Sequence, residues 1–331
     1  MNREDRTAVP VSAPQLAPAA GVPLLAVVIP TYNRWPHIDA AVESVLDQGV
    51  PDCECIVVDD GSVDGTPERL AAKHGARLRV LRMPANGGPA AARNYGIRQA
   101  RAEFVCMLDS DDQLLPGSLT ARLGVFRADP DFDGVAWGPL LRPGNSATEL
   151  TARAAVLPAA ARDFALAYLG NSFLSTNDFM LRRHHLLALA GGPYRDDLTN
   201  NEDVELFLRL MARLPFRFCG TCVAVLGRVD AGLHAQSERV LRQGLRLIDH
   251  LRADPAVVAL LGKALDRLEF VKLMEWSNYA AKAGRAQDFR RYFLRAWRLS
   301  WWRCLGQPKL WRNALRLAGR RQRPPAAGRA G

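Results

Sequence analysis

No apolar run in this chain reaches the ~18 residues that a membrane-crossing helix needs, so no helical span is expected. The opening stretch, MNREDRTAVPVSAPQLAPAAGVP, is rich in proline and alanine but lacks the continuous apolar core of a signal peptide. It reads as a disordered leader over residues 1–22, and the chain is expected in the cytoplasm. Cysteine is scarce, with six in 331 residues, and those thiols should be reduced there. Cys219 and Cys222 form a C-x2-C with no second pair, which argues against a zinc ribbon. The Gly-rich turn NGGPAAARN contains neither G-x-G-x-x-G nor G-x-x-x-x-G-K-[ST], so it is neither a dinucleotide fingerprint nor a P-loop. Acids are nearly missing from the C-terminal end: residues 281–331 hold Asp288 alone against 14 Lys and Arg. The net charge of +10 is therefore a property of that tail, because the other 280 residues carry 30 basic and 33 acidic groups.

What remains is ordinary for a globular protein, with 48% hydrophobic and 24% charged residues. The organising stretch is Glu103 to Pro116, EFVCMLDSDDQLLP. Phe104 to Leu108 has the length and composition of a strand buried on both faces. It ends in Asp109, Ser110, Asp111 and Asp112. Carboxylates gathered at a buried strand end repel one another, and their desolvation is costly unless a positive charge sits there. Oxygen ligands of this kind suit Mg2+ or Mn2+ shared with a phosphate-bearing substrate. The plainer alternative is a polar turn with Asp112 capping the next helix.

Leu24 to Ile29 is a second buried run, stopped by Pro30 and followed by Thr31, Tyr32, Asn33 and Arg34. Ile56 to Val58 ends in Asp59-Asp60-Gly61-Ser62, and a further strand is expected around Leu78 to Leu81. Helical spacing lies between these runs, and Asn86-Gly87-Gly88-Pro89 opens a helix carrying Arg93. The order β-α-β-α-β-α-β predicts a parallel sheet with helices on both faces. Ligands of such sheets bind beyond the carboxyl ends of the strands. The polar groups after three strands should thus share one rim. The helix N-terminus at Gly88, or Arg93, offers a positive partner for a nucleotide.

Together, Thr31-Tyr32-Asn33, VVDDGSVDGT, NGGPAAARN and LDSDD resemble the family 2 glycosyltransferases, of glycosyltransferase A fold. The resemblance implies a single α/β domain over 23–235 with a mostly parallel central sheet; the helical spacing and basic charge that follow mark a helical basic extension over 236–323, and 324–331 is expected to be disordered. It implies a nucleotide-diphosphate sugar donor, a glycan or lipid-linked acceptor, and Mn2+ or Mg2+. The nucleotide site would comprise Pro30, Thr31, Tyr32, Asn33, Asp59, Asp60, Asn86, Arg93 and Asp109. Within it Thr31 and Asp60 would contact the base, with Arg93 close by. Asp109 and Asp111 would hold the metal. The family's Glu-Asp pair falls on Glu202 and Asp203, making Asp203 the general base, with Glu202 near donor sugar or acceptor. An arginine and, two places later, a histidine often fold over the donor phosphates in this family. Arg228 fits, but Asp230 holds the histidine's place, and His234 comes four residues later as the remaining candidate metal ligand. A non-catalytic nucleotide-sugar-binding or scaffolding protein of this fold is the alternative. A sugar nucleotidyltransferase is disfavoured, since PTYNRWPHI stands where a Gly-rich basic loop would be needed.

Farther on, Gly134 to Leu141 and Phe216 to Leu226 each read as a strand, and 143–165 as a variable loop with a short helix. His184 and His185 adjoin on a helix, where neighbours face different ways, which disfavours a shared metal. Val204, Phe207, Leu208 and Met211 form an expected buried stripe, with Asn200 or Asn201 as N-cap. Phe289, Phe293, Trp297 and Trp301 recur every four residues, with arginines interleaved. The segment 285–323 suits an anionic membrane surface, placing the protein peripherally on the inner face. Alternatively the aromatics pack on the catalytic body and the arginines are solvated. No nucleic-acid motif is present.

Overall fold

The protein is described by a computed structural model covering residues 22–171, 173–227, 238–308, 311, 312 and 315. Along the chain the elements begin β1 (Leu25–Thr31), α1 (His37–Leu46), β2 (Cys53–Asp59), α2 (Thr66–His74), β3 (Leu78–Arg82), α3 (Gly88–Gln99) and β4 (Phe104–Met107). There follow β5 (Gln113–Leu114), α4 (Ser118–Ala128), β6 (Val135–Trp137), β7 (Leu140–Leu141), α5 (Ala147–Ala155) and α6 (Ala161–Asn171). Then come β8 (Phe179–Arg182), α7 (Arg183–Leu187), α8 (Glu202–Met211), β9 (Phe216–Phe218) and β10 (Ala224–Val225). The helices α9 (Glu238–Ala253), α10 (Pro255–Leu261), α11 (Lys263–Lys282) and α12 (Ala286–Leu305) complete the order. These elements form two compact units, one of 1–159, 171–193 and 214–228, the other of 160–170, 194–213 and 229–331.

The first unit is built on a seven-stranded sheet ordered β3-β2-β1-β4-β8-β6-β9. β3, β2, β1 and β4 are mutually parallel, β8 is antiparallel to both neighbours, and β6 and β9 are parallel to each other. The mostly parallel sheet expected from the β-α alternation is thus present. β1 and β4 are buried along their whole length, which is what their unbroken apolar runs require. β1 does not stop at Pro30, as expected from the sequence, but continues to Thr31 in register with Asp59. Its pairing with β4 ends at Val28 and Met107, so the missing N–H of Pro30 costs no ladder bond on that side. Helix α3 lies close on the sheet because Gly96 has no side chain; a Cβ there would meet Val28 Cγ1 at 2.3 Å.

Two expected single strands are each broken into two. β6 and β9 pair in the main sheet, whereas β7 and β10 join β5 in a separate three-stranded sheet. The chains switch sheets at Gly138, where a Cβ would stand 2.3 Å from the Thr221 carbonyl oxygen. Only a residue without a side chain permits that approach. The region read as loop and short helix contains α5 and the first residues of α6.

The second unit is helical. Helix α8 is not an amphipathic stripe: Glu205 through Met211 are all buried. Two charged residues inside that run account for it, since Arg209 Nη2 lies 2.7 Å from Glu205 Oε2, and Arg195 Nε bonds Glu205 Oε1 at 3.0 Å. A buried charge held by such partners avoids much of the desolvation penalty. Leu241, Leu245, Phe270, Leu273 and Trp276 form a core with Ala296 and Cys304, and Phe289, Phe293 and Trp297 pack against it. Most of the expected aromatic face of α12 is therefore helix–helix core. Ser300 leaves helical geometry, with φ −165° and ψ 79°, and beyond it Trp301 and Trp302 are 57% and 58% exposed.

Candidate active site

The carboxyl ends of β1, β2 and β4 lie side by side, bringing Thr31, Asp59, Asp60 and Asp109 to one rim of the first unit. Asp59 is wholly buried; it accepts the Ser62 N–H at 3.2 and 3.1 Å and lies 3.6 Å from Arg82 Nε. It braces the turn. Asp60 accepts the Gly87 N–H at 2.7 Å and the Gly88 N–H at 2.8 Å. The N-terminus of α3, expected to be open to a nucleotide, is thus engaged by a carboxylate of the protein itself, as its orphan amides and dipole favour. Asn86 donates to the Asp60 carbonyl at 3.0 Å. Asn33, with φ 52°, donates its N–H to the Ser62 hydroxyl oxygen at 2.9 Å, and its Oδ1 accepts the Val63 N–H at 2.8 Å. These contacts tie the two loops together. Thr31 Oγ1 is buried with no hydrogen-bond partner among the described residues. Tyr32 is exposed, and Pro30 is buried within β1.

At the end of β4, Arg93 reaches from α3 and its Nη2 lies 2.7 Å from Asp109 Oδ1. This is the positive partner that an acid cluster at a buried strand end demands. Arg34 Nη2 stands 3.7 Å from Asp111 Oδ2. Asp112 faces inward, accepting the Gly227 N–H at 2.7 Å and a bond from Asn177 Nδ2. Burial, with the Asp109 and Asp111 charges adding to it, pushes the Asp112 carboxyl up to about 7. Asn177 also accepts the Asp109 backbone N–H at 2.7 Å. Asn177, Gly227 and Arg34 escaped the sequence reading, because no local signal marks residues that act across a fold. Asp109 and Asp111 are the two acids of this loop that keep solvent-facing carboxylate surface. That all-oxygen pair, open on one side, fits a hard divalent cation whose remaining ligands are water and phosphate oxygens.

In the second unit, Glu202 and Asp203 occupy the first turn of α8, as expected. Asn201 is at the N-cap position, but with φ 65° and no side-chain cap bond. Asp203 Oδ1 accepts the Val204 N–H at 2.8 Å. His234 and Arg228 lie outside the described residues. His184 and His185 do not point apart: their ring centroids are 4.0 Å from each other. With Asp133 they bring three ligand atoms within 4.8 Å of one another. A one-turn helix starting at Arg183, directly after β8, is too short to impose the usual spread of neighbours. This cluster sits at the Arg182 end of β8, paired with the beginning of β4 at Phe104, so it is remote from Asp109.

This geometry has relatives. Residues 26–184 match the family described as Glycosyl transferase family 2. Succinoglycan biosynthesis protein ExoO of Rhizobium meliloti is 42% identical over 108 residues, covering 33% of this chain and 30% of that protein. The uncharacterised glycosyltransferase EpsJ of Bacillus subtilis is 41% identical over 93 residues, covering 28% and 27%. Hyaluronan synthase of Pasteurella multocida is 38% identical over 110 residues, covering 33% and 11%. The match thus spans less than a third of each of these relatives. S. aureus TarS 1–349, solved in complex with UDP-GlcNAc, shares the fold at a TM-score of 0.52 and 19% identity, covering 81% of this chain and 90% of that one.

Proposed function

We propose that this protein is an inverting glycosyltransferase that moves a sugar from a nucleoside-diphosphate donor to a hydroxyl of a growing glycan or a lipid-linked acceptor. The observation that carries the reading is the Arg93–Asp109 pair at 2.7 Å beside the exposed Asp111, at the strand-end rim of a family 2 domain. Thr31, whose buried Oγ1 has no hydrogen-bond partner among the described residues, is assigned to the base at that rim. Asp60 acts chiefly by holding Gly87 and Gly88, and so by placing α3 and Arg93. Mn2+ or Mg2+, bound by Asp109 and Asp111, would supply charge stabilisation to the departing diphosphate. Arg93, 2.7 Å from Asp109, holds that carboxylate in place. Asp203, favoured as an anion by the start of α8, takes the acceptor proton as its oxygen attacks. A base acting opposite the leaving group gives inversion.

The fold shared with a UDP-GlcNAc complex makes UDP the first nucleotide to try. Calorimetric titration of UDP, GDP and dTDP, each with and without Mn2+, tests the reading on wild type and Asp111→Ala. One nucleotide should bind, and only with both Mn2+ and Asp111. Binding of none would leave a non-catalytic protein of the same fold. Asp203→Asn should cut transfer by roughly 10²–10⁴-fold, the usual worth of a general base, with nucleotide affinity unchanged. A retained anomeric configuration in the product, read by NMR coupling, would overturn the mechanism.

Association with the inner face of an anionic membrane belongs to the same proposal. No helix among the described residues is long and apolar enough to cross a membrane, but Trp301, Trp302 and Leu305 are exposed beside Arg298 and Arg303. Aromatic and basic side chains in that combination favour a headgroup interface. Sedimentation with phosphatidylglycerol vesicles should be lost in Trp301→Ala/Trp302→Ala; equal sedimentation with phosphatidylcholine would contradict it.

A further inference from the structure

A cavity of about 400 Å³ opens in the first unit beyond the carboxyl end of β6, within the size range of small-ligand pockets, ~300–1,000 Å³. β6 pairs with β8, which pairs with β4, so this mouth is on the same rim as Asp109. The Trp137 and Phe173 rings, with centroids 5.6 Å apart, form its aromatic side. Its polar lining comes from Arg142, Arg153, Asn145 and Asp178. The wall it shares with the donor site is the turn before β8. Asn177 in that turn bonds to Asp109 and Asp112, whereas the next residue, Asp178, lines the cavity. Arg122, itself fully buried, holds this turn by donating to the Asn177 and Phe179 carbonyls at 3.1 and 3.2 Å.

Two features of the lining point to a charged ligand. Arg142 and Arg153 are exposed at the cavity, and neither forms an ion pair among the described residues. Asp178 is completely buried; its Oδ2 accepts the Ser175 N–H at 2.7 Å while Oδ1 has no hydrogen-bond partner among the described residues. Burial pushes this carboxyl up to about 8, so at neutral pH it contributes little negative charge. The charged side chains exposed at the cavity are then Arg142 and Arg153, with the buried Trp137 and half-buried Phe173 behind them. A neutral sugar would leave both guanidiniums without a charged partner. A carboxylate or phosphate on the sugar would engage them through charge-assisted, bidentate hydrogen bonds.

We infer that this cavity is an acceptor subsite for an anionic sugar unit, one bearing a carboxylate or a phosphate that reaches Arg142 and Arg153. The inference rests on the glycosyltransferase reading for the word acceptor, but its charge selectivity stands on the cavity alone.

The test uses the full chain and three probes: methyl glucuronoside, glucose 6-phosphate and methyl glucoside. Binding is measured by calorimetry and saturation-transfer NMR on wild type and on Arg142→Gln/Arg153→Gln, whose exposed positions should tolerate the change. At least one charged probe should bind tenfold or more tightly than the neutral one, and the stronger of the two identifies carboxylate or phosphate as the group read. The double variant should erase that preference and still bind UDP with Mn2+ as wild type does. Equal binding of all three probes, no binding of any, or an unchanged preference in the variant would overturn the inference. So would a variant that weakens UDP-sugar binding while keeping its charge preference, since the cavity would then hold the donor sugar. Charged-probe selectivity in a protein that binds no nucleotide would support the anionic cavity and defeat the transferase reading alone.

Discussion

Asn177 Oδ1 accepts the backbone N–H of Asp109 at 2.7 Å, joining residues 68 positions apart in the chain. The same amide donates to the buried Asp112 carboxyl, so one side chain fixes both ends of the acid loop. Asn177→Ala should destabilise the protein by about 1–3 kcal/mol, the usual cost of leaving a buried polar group short of a partner. Donor-nucleotide affinity should fall with it, because Asp109 and Asp111 lose their alignment. Chemical denaturation and UDP titration measure the two effects. Unchanged nucleotide affinity would mean that the loop holds its shape without the amide.

Gly227 has a comparable role from a different direction. A Cβ on this residue would stand 1.7 Å from the Asp111 carbonyl oxygen, and its N–H bonds Asp112 Oδ1 at 2.7 Å. Gly227→Ala must therefore push the acid loop away, with strain of about 1–3 kcal/mol. A lower melting temperature together with loss of Mn2+-dependent UDP binding is expected. A variant with wild-type binding would show that the loop yields without consequence.

Asp178 makes stability depend on pH. Its carboxyl is held at about 8 in the folded protein against an ordinary 3.8, chiefly by burial. The folded state thus keeps a proton that the unfolded chain releases, so the stability linked to this group is present below about pH 4 and lost as pH rises towards 8. Asp178→Asn removes the dependence. The melting temperature of wild type minus that of the variant should decrease steadily between pH 4.5 and 8.5. A flat or rising difference would contradict the assignment.

Glu205 holds two arginines in the second unit. Glu205→Ala would strip the buried Arg209 of its closest carboxylate, and removing one partner of a buried ion pair typically costs about 3–5 kcal/mol. Glu205→Gln keeps the hydrogen-bond acceptor and should lose less. Urea denaturation of both variants checks the order; equal losses would mean that shape, not charge, matters at this position.

Much of the strand-end rim of the first unit was legible in the chain. The runs around Val28, Val57 and Cys106 are each one strand long and end in polar breaks, and such local patterns carry their own structural meaning. Alternation with helical spacing then dictates a parallel sheet, and a parallel sheet gathers Thr31, Asp60 and Asp109 on one rim. The extent of β1 past Pro30 was less readable, since it depends on where the neighbouring strand stops pairing. Asn177, Gly227 and the Glu205–Arg209 pair could not be found, as each matters only through a partner distant in sequence or through burial that polar residues do not advertise.

The sequence by itself thus determined the sheet, its order of α and β elements and the acid cluster, because periodicity and the cost of gathering carboxylates act over a few neighbouring residues. Tertiary structure alone decided the rest. It spent Asp60 on the amides of α3 and broke two strands at the Gly138–Thr221 approach. It packed Phe289, Phe293 and Trp297 against a helical core while the bend at Ser300 left Trp301 exposed, and it set two arginines with no ion pair among the described residues at a cavity. These outcomes depend on which surfaces come within hydrogen-bonding or van der Waals reach, and that is a property of the packed chain and not of any stretch within it.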